Sequence, residues 1–133
     1  MSVAAFDHVA IPIQNVEAVL AFYQAIGFTI DRSNEPLFYS AHLATQKINF
    51  HGPELWQSSR FTLKGPAAKP GCGDFCFVWD GSSDELANLL SELGCEIIEG
   101  PVSRSGGREA GAGVGTSTYV RDPDGNLVEF MRY

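Results

Sequence analysis

The sequence is poor in positive charge and has no long apolar run. Its 133 residues include 9 Lys and Arg against 16 Asp and Glu, which gives a formal net charge of −7. Nucleic acids and anionic membrane surfaces are bound through clustered Lys and Arg, so we expect neither as a partner. No apolar run is long enough to span a bilayer, and the first residues lack the charged and apolar regions of a signal peptide.

Cysteine is also scarce. Cys72, Cys76 and Cys95 are odd in number and are not spaced like zinc ligands, so we interpret them as reduced thiols of a cytoplasmic protein. No candidate base lies near Cys76 in the sequence, which favours a small buried thiol over a nucleophile. With 44% hydrophobic residues, a chain of this length can bury the core of one domain without disulfide or zinc staples.

The C-terminal stretch combines a tight turn with a strand that carries a carboxylate. Pro123 and Gly125, with Asp and Asn beside them, favour a turn, and the alternation after Asn126 predicts a pleated strand. Glu129 falls on the inward face of that strand. A carboxylate there must be paired, hydrogen-bonded or bound to metal, because burying it bare is costly.

The chain repeats one pattern of a strand, a helix and three strands. The offset from His8 to Asp74 is 66 residues and that from Gly27 to Gly94 is 67, which indicates a duplicated module. In the first copy, periodicity predicts a strand at 6–13, a helix from Asn15 to Gly27 and strands at about 28–33, 37–43 and 45–51. In the second, it predicts a strand from Asp74, a helix capped by Ser82 or Ser83, strands at about 95–99 and 116–121, and the closing strand.

We therefore predict an α+β fold of two βαβββ modules, at about 1–65 and 70–133, joined by a connector with one short helix near 54–59. Together they would form a single domain with a curved mixed-sheet cleft. In both modules the bulky side of the first strand is expected to cover the helix, which leaves the polar side free. The polar positions on that side are His8, Asn49, His51, Asp74 and Glu129.

Two imidazoles and two carboxylates are a ligand set for a divalent transition metal such as Ni, Co, Mn, Fe or Zn. Such an ion can polarise a carbonyl or stabilise an enediolate. Each residue also has a structural interpretation. These are a strand-end histidine for His8 and His51, a turn cap for Asp74, and half of a buried ion pair for Glu129.

The glycine-rich stretch 106–115 lacks the Gly-Lys-Ser/Thr ending of a phosphate-binding loop. We interpret it either as a lid, with Arg104 or Arg108 contacting an anionic substrate group, or as a flexible surface loop. Tyr119 belongs to a set of aromatic residues that could line a substrate pocket.

Four segments carry a resemblance over essentially the whole chain: Asp7–Ile11, the helix end at 22–28, Gly73–Phe77 and Asp122–Glu129. They resemble the glyoxalase, bleomycin-resistance and extradiol-dioxygenase superfamily, which has the vicinal oxygen chelate fold. More narrowly, Gln46–His51, with Asp74, Arg104 and Gly106, resembles the subgroup of glyoxalase domain-containing protein 5.

The resemblance implies a metal held by the first and last strands of each module, with His8, His51, Asp74 and Glu129 as ligands. Aligning the two modules makes Asn49 the internal equivalent of Glu129, so Asn49 and His51 remain alternatives for one position. Asp74 stands where many members carry His. The resemblance also implies a homodimer.

The implied activity is that of a metal-dependent, lactoylglutathione lyase-like lyase or isomerase acting on vicinal oxygens of a small substrate. Glu129 or Asp74 would transfer the proton, while Asn49, Arg104, Arg108 and Tyr119 would bind substrate. The alternatives are a non-catalytic binding protein of the bleomycin-resistance type, an extradiol dioxygenase and a thiol transferase.

Overall fold

The chain, described over all 133 residues by a computed structural model, folds into two compact units, Met1–Cys72 and Gly73–Tyr133. Each unit contains one four-stranded mixed sheet. None of the helices is long and apolar enough to span a membrane.

The first unit consists of the four strands and one helix of the predicted repeat, followed by a short helix. Its sheet has the order β1-β4-β3-β2, with β1 parallel to β4 and the other pairs antiparallel. The elements are β1 (His8–Pro12), α1 (Val16–Ala25), β2 (Thr29–Asn34), β3 (Phe38–Leu43), β4 (Gln46–His51) and α2 (Pro53–Trp56).

The second unit repeats this arrangement. Its sheet has the order β5-β8-β7-β6, again with one parallel pair, β5 and β8. The elements are β5 (Asp74–Val78), α3 (Ser83–Glu92), β6 (Glu99–Ser105), β7 (Val114–Arg121) and β8 (Leu127–Arg132). The predicted α+β class with two βαβββ modules is confirmed.

The helix ends follow the sequence signals. Gly27, with φ of 117°, and Gly94, with φ of 67°, end the two long helices in the left-handed region that glycine tolerates. Ser82 caps α3 reciprocally with Glu85: the Ser82 Oγ accepts from the Glu85 N–H at 3.1 Å, and the Ser82 N–H donates to Glu85 Oε2 at 2.7 Å. Asn15 occupies the corresponding position before α1, but its side chain makes no capping bond.

The apolar side of each sheet lies in a core. In the first unit the Tyr23 ring of α1 packs 5.1 Å from that of Phe50 on β4, and both are fully buried. In the second unit Val128 and Phe130 of β8 are buried on the corresponding side. The alternation seen in the sequence therefore marks the two faces of each sheet correctly, because successive side chains of a strand point to opposite faces.

The strand predicted at 95–99 is wrong in position. Residues 95–98 form no strand, and β6 instead runs from Glu99 to Ser105 through Pro101. Proline has no N–H to donate, but β6 is the edge strand of its sheet, where a missing donor is tolerated. The pairing with β7 also shifts register between Glu99 and Val102, so local alternation could not locate the strand.

The turn before β8 is held by a buried network of side chains. Asp122 Oδ1 accepts from the N–H groups of Asp124 at 2.9 Å and Asn126 at 3.0 Å, and Asp122 Oδ2 accepts from Asn126 Nδ2 at 2.8 Å. Asn126 Oδ1 in turn accepts from the Gly73 N–H at 2.7 Å, just before β5. The Leu127 N–H donates to the Gly73 carbonyl at 3.0 Å. The network therefore sets where β8 begins against β5.

We predict that Asn126→Ala lowers the free energy of unfolding by roughly 2–4 kcal/mol, because it removes the buried hydrogen bonds that the Asn126 side chain makes to the Asp122 carboxylate and to the Gly73 N–H. Urea denaturation followed by circular dichroism measures this. Asn88→Ala, at an exposed position of α3, is the matched control and should change stability by less than about 0.5 kcal/mol. Equal stability of the two variants would contradict the role given to the network.

Candidate functional site

The polar face of the second unit carries a row of side chains that crosses all four strands. Cys76 pairs with Glu129, Glu129 with Tyr119, and Tyr119 with Glu99, so the four residues lie side by side on β5, β8, β7 and β6. The Glu129 carboxylate lies close enough to the Cys76 thiol and the Tyr119 hydroxyl to raise the pKa of both groups. The half-buried carboxylate thus has a potential hydrogen-bond donor on each of the two neighbouring strands.

Both neighbours of Glu129 are held in their neutral forms. Desolvation, together with the Glu129 carboxylate, raises the pKa of the Cys76 thiol to about 12. Desolvation also raises the pKa of the Tyr119 phenol; Glu129 acts in the same direction and Arg104 in the opposite one. Cys76 lies on the exposed face and not in the core, which corrects the expectation of a buried thiol. Its chemistry is nevertheless that of an unreactive, protonated thiol.

Asp74 lies next to this row, at the start of β5. Its partner in the register is Leu127, so Glu129 is two residues farther along the neighbouring strand. Such diagonal neighbours on one face are roughly 7–8 Å apart at Cα, within reach of a common small ligand.

The first unit repeats this diagonal pair with His8 and Asn49. His8 pairs with Lys47, which puts Asn49 two residues farther along β4. Asn49 is therefore the topological equivalent of Glu129, as the alignment of the modules predicted. Asn49 is buried, with 8% of its surface exposed, and its Oδ1 has no hydrogen-bond partner. Because buried polar atoms are normally paired, this oxygen stands out as an acceptor that is able to bind a further group.

His8 is oriented by its neighbour in the chain. Its Nδ1 lies 2.5 Å from Asp7 Oδ1, and the hydrogen bond and charge of His8 lower the pKa of Asp7. An imidazole held in this way through Nδ1 presents Nε2 outward, which is the arrangement that carboxylates impose on metal-binding histidines.

His51 lies apart from this pair. It pairs with Pro12, four residues from His8 along β1, or about 13 Å at the rise of a β-strand. Its ring packs 5.0 Å from that of Phe61, and burial followed by the charge of Lys64 lowers its pKa. His51 lines a small cavity of about 60 Å³ with Trp56, Leu63 and Lys64. Its surroundings are those of a buried neutral histidine.

The two arginines singled out in the sequence have different environments. The Arg104 guanidinium donates to the Tyr119 hydroxyl and to Glu99, both at 3.2 Å, so it is part of the polar row. Arg108 stands over the ring of Tyr133, with its guanidinium carbon 4.1 Å from the ring centroid. Sequence analysis overlooked Tyr133, although its spacing from Glu129 and Met131 places all three on one face.

The types of donor present suit a divalent transition metal. No three His, Cys, Asp or Glu side chains form a group that could hold an ion. Each unit does contain a pair of polar side chains in the same register, His8 with Asn49 and Asp74 with Glu129. The chemistry of the four donors, one imidazole nitrogen, one amide oxygen and two carboxylates, fits such an ion.

We predict that Cys76 reacts with iodoacetamide at pH 8 at least tenfold more slowly than the exposed Cys72 in the same molecule, because only the thiolate reacts. Glu129→Gln removes a charge that disfavours the thiolate and should speed Cys76 alkylation. Peptide mass spectrometry over time measures both rates. Equal rates in the wild-type protein would show that the Cys76 thiol is not held protonated.

Comparison with known proteins places this geometry in a family. The family model of the Glyoxalase/Bleomycin resistance protein/Dioxygenase superfamily matches residues 5–130. Virulence protein STM3117 of Salmonella typhimurium is 31% identical to this chain, and the alignment covers 100% of this chain and 87% of the relative. Its crystal structure superposes with a TM-score of 0.84 at 30% identity, covering 100% and 99% of the two chains. Glyoxalase domain-containing protein RDO1 of Mycosarcoma maydis is 32% identical to this chain, and the alignment covers 100% of this chain and 70% of the relative.

More distant structures share the fold alone. Lactoylglutathione lyase from Agrobacterium tumefaciens has a TM-score of 0.70 at 23% identity, covering 99% of this chain and 96% of its own. TnmS3, an antibiotic binding protein from Streptomyces sp. CB03234, has a TM-score of 0.71 at 17% identity, covering 99% and 98%. From the family match over nearly the whole sequence and the two relatives above 30% identity, the chain belongs to the Glyoxalase/Bleomycin resistance protein/Dioxygenase superfamily.

Proposed function

We propose that the protein is a metal-dependent, glyoxalase-like lyase or isomerase acting on a small substrate with vicinal oxygens. The observation that carries the proposal is a repeated pair of polar side chains, His8 with Asn49 and Asp74 with Glu129, which occupy the same register positions in the two units. His8, Asn49, Asp74 and Glu129 would hold the ion, which supplies a Lewis acid for a carbonyl or another substrate oxygen when bound.

Asn49 suits this position better than His51, the ligand expected from the sequence. It has the same relation to His8 that Glu129 has to Asp74, and its buried oxygen has no other partner. His51 lies about 13 Å along the strand from His8 and packs among aromatic rings. We therefore propose Asn49 as the ligand.

Glu129 is the proposed proton-transfer residue, with Asp74 as the alternative. Its carboxylate is an acceptor that has the Tyr119 hydroxyl and the Cys76 thiol beside it on the two neighbouring strands. Because the Cys76 thiol and the Tyr119 hydroxyl stay neutral, neither is an anion that could accept the proton in place of Glu129. Glu129 would take the proton from a carbon next to a carbonyl and return it to a neighbouring position.

The finer assignments go with this proposal. The metal is one of Ni, Co, Mn, Fe or Zn, and the working form is a homodimer, as the family resemblance implies. Gln46–His51 and the region around Arg104 also lead us to propose a place close to the glyoxalase domain-containing protein 5 subgroup.

A second candidate is a non-catalytic binding protein. The similarity in fold to the antibiotic binding protein TnmS3 supports it, as does the amide of Asn49, a weaker metal ligand than a carboxylate. In that case the polar rows would bind a ligand by hydrogen bonds alone. Metal content distinguishes the two candidates.

We predict close to one divalent transition metal ion per chain in protein purified without an affinity tag, measured by elemental mass spectrometry. His8→Ala, Asn49→Ala and Glu129→Gln should each lower occupancy at least tenfold, since each removes a ligand. His51→Ala, His42→Ala and Glu96→Gln are the matched controls and should keep the metal. Protein that stays metal-free after incubation with each ion would rule out the enzyme proposal in favour of binding.

We further predict that the metal-loaded protein exchanges a proton next to the carbonyl of an α-hydroxy carbonyl substrate with solvent deuterium, as followed by NMR. Glu129→Gln should slow this exchange at least 100-fold, because proton transfer by a positioned side chain contributes that much. Glu96→Gln should leave the rate unchanged. Exchange in Glu129→Gln at the wild-type rate would show that another group transfers the proton.

A further inference from the structure

The second unit contains an open cavity of about 450 Å³ along the polar face of its sheet. Its walls come from β5, β8 and the loop between β6 and β7. The lining residues are Cys76, Val78, Ser105, Gly106, Gly107, Arg108, Glu129, Met131 and Tyr133. The whole cavity therefore belongs to one compact unit.

The cavity has three chemically different parts in a line. Glu129, Met131 and Tyr133 alternate along one face of the chain, and Val78 pairs with Met131. At about 3.3 Å per residue, Glu129 and Tyr133 are about 13 Å apart at Cα. One end thus offers a carboxylate and a neutral thiol, the middle offers the apolar side chains of Val78 and Met131, and the far end offers the guanidinium of Arg108.

The Arg108 guanidinium has no acidic partner. No carboxylate lies within 4 Å of it, whereas Arg32 and Arg104 each form an ion pair with Glu. It packs on the Tyr133 ring, with the guanidinium carbon 4.1 Å from the ring centroid. The flat guanidinium packed on a ring keeps its donors available to an oxyanion, which it can bind through two parallel hydrogen bonds.

The loop around Arg108 is built to hold this contact. The Gly106 N–H donates to the Gly113 carbonyl at 2.8 Å, and the Gly113 N–H donates to the Arg108 carbonyl at 2.9 Å, which closes the loop. A Cβ on Gly106 would lie 1.8 Å from the Tyr133 hydroxyl, so only glycine leaves room for that ring. The absence of a side chain at Gly106 thus allows the Tyr133 ring to pack against Arg108.

We propose that this cavity binds a small organic anion lengthwise. Its carboxylate or phosphate group would bind Arg108, an apolar segment would lie on Val78 and Met131, and an oxygen-bearing end would reach Glu129. The binding of the oxyanion at Arg108 is inferred from the cavity alone. A role in a reaction for the end of the ligand near Glu129 rests on the proposed function.

Because the protein is negatively charged overall, its affinity for an anion in this cavity depends on Arg108. At a formal net charge of −7, the chain as a whole does not attract anions, so affinity must come from a local contact. Hydrogen bonds between ions are roughly twice as strong as neutral ones, so their loss should appear as a change in affinity of tenfold or more.

Isothermal titration calorimetry of the full chain in EDTA, with hexanoate, hexyl phosphate and 1-hexanol as probes, tests this. We expect at least one of the two anions to bind at least tenfold more tightly than hexanol. The anion with the higher affinity shows whether the site prefers a carboxylate or a phosphate. Arg108→Gln should abolish this preference, and Gly106→Ala should reduce it severalfold by displacing Tyr133. Arg60→Gln removes the same charge from an exposed site in the first unit and should leave binding unchanged.

Hexanol binding as tightly as both anions, wild-type affinity in Arg108→Gln, or no binding of any probe at 10 mM would each overturn the proposal. Circular dichroism confirms that the variants are folded. Because EDTA removes any metal, the result does not depend on the proposed enzyme. Selective anion binding in a protein that takes up no metal would leave this inference standing while the enzyme proposal fails.

Discussion

The site depends on the register between β5 and β8, which the Asp122, Asn126 and Gly73 network sets. Parallel strands cannot share a hairpin turn, so the turn alone does not fix how far one slides past the other. A slip of one residue would turn Glu129 to the opposite face. By tying the start of β8 to the residue before β5, two buried side chains put Glu129 beside Cys76 and two residues beyond Asp74. A carboxylate can thus occupy the polar face at a defined position.

The two units share a topology but use their polar faces differently. In the first, the helix after β4 covers part of the face: Trp56 Nε1 donates to the Ile13 carbonyl at 2.9 Å, and Asn49 and His51 are buried. In the second, the corresponding face stays open, with Cys76 and Val78 exposed along the cavity. The duplicated frame therefore supplies a buried amide from one copy and an accessible carboxylate from the other.

The two arginines show how similar residues acquire different roles. Arg104 and Arg108 lie four positions apart, one before and one within the glycine-rich stretch 106–115, and either suited an anionic substrate. Arg104 lies on β6, where it pairs with Gly115 and its long side chain reaches Tyr119 and Glu99, so its charge is already compensated. Arg108 lies in the loop beyond the strand, where the C-terminal Tyr133 is its contact. The contacts of the two side chains thus decide which cation stays available, since a guanidinium bound to a carboxylate has few donors left for a ligand.

The sequence by itself determined the duplication, the helices with their glycine ends and the polar face of each sheet, because periodicity and capping are local properties. It also identified Asn49 as the internal counterpart of Glu129. It could not locate β6, whose irregular edge pairing with β7 carries no periodic signal. Nor could it separate Asn49 from His51, since both share a face and only the pairing of β4 with β1 shows which lies near His8. Register, burial and the contact of Arg108 with Tyr133 join residues distant in the chain, so only the tertiary structure decided them.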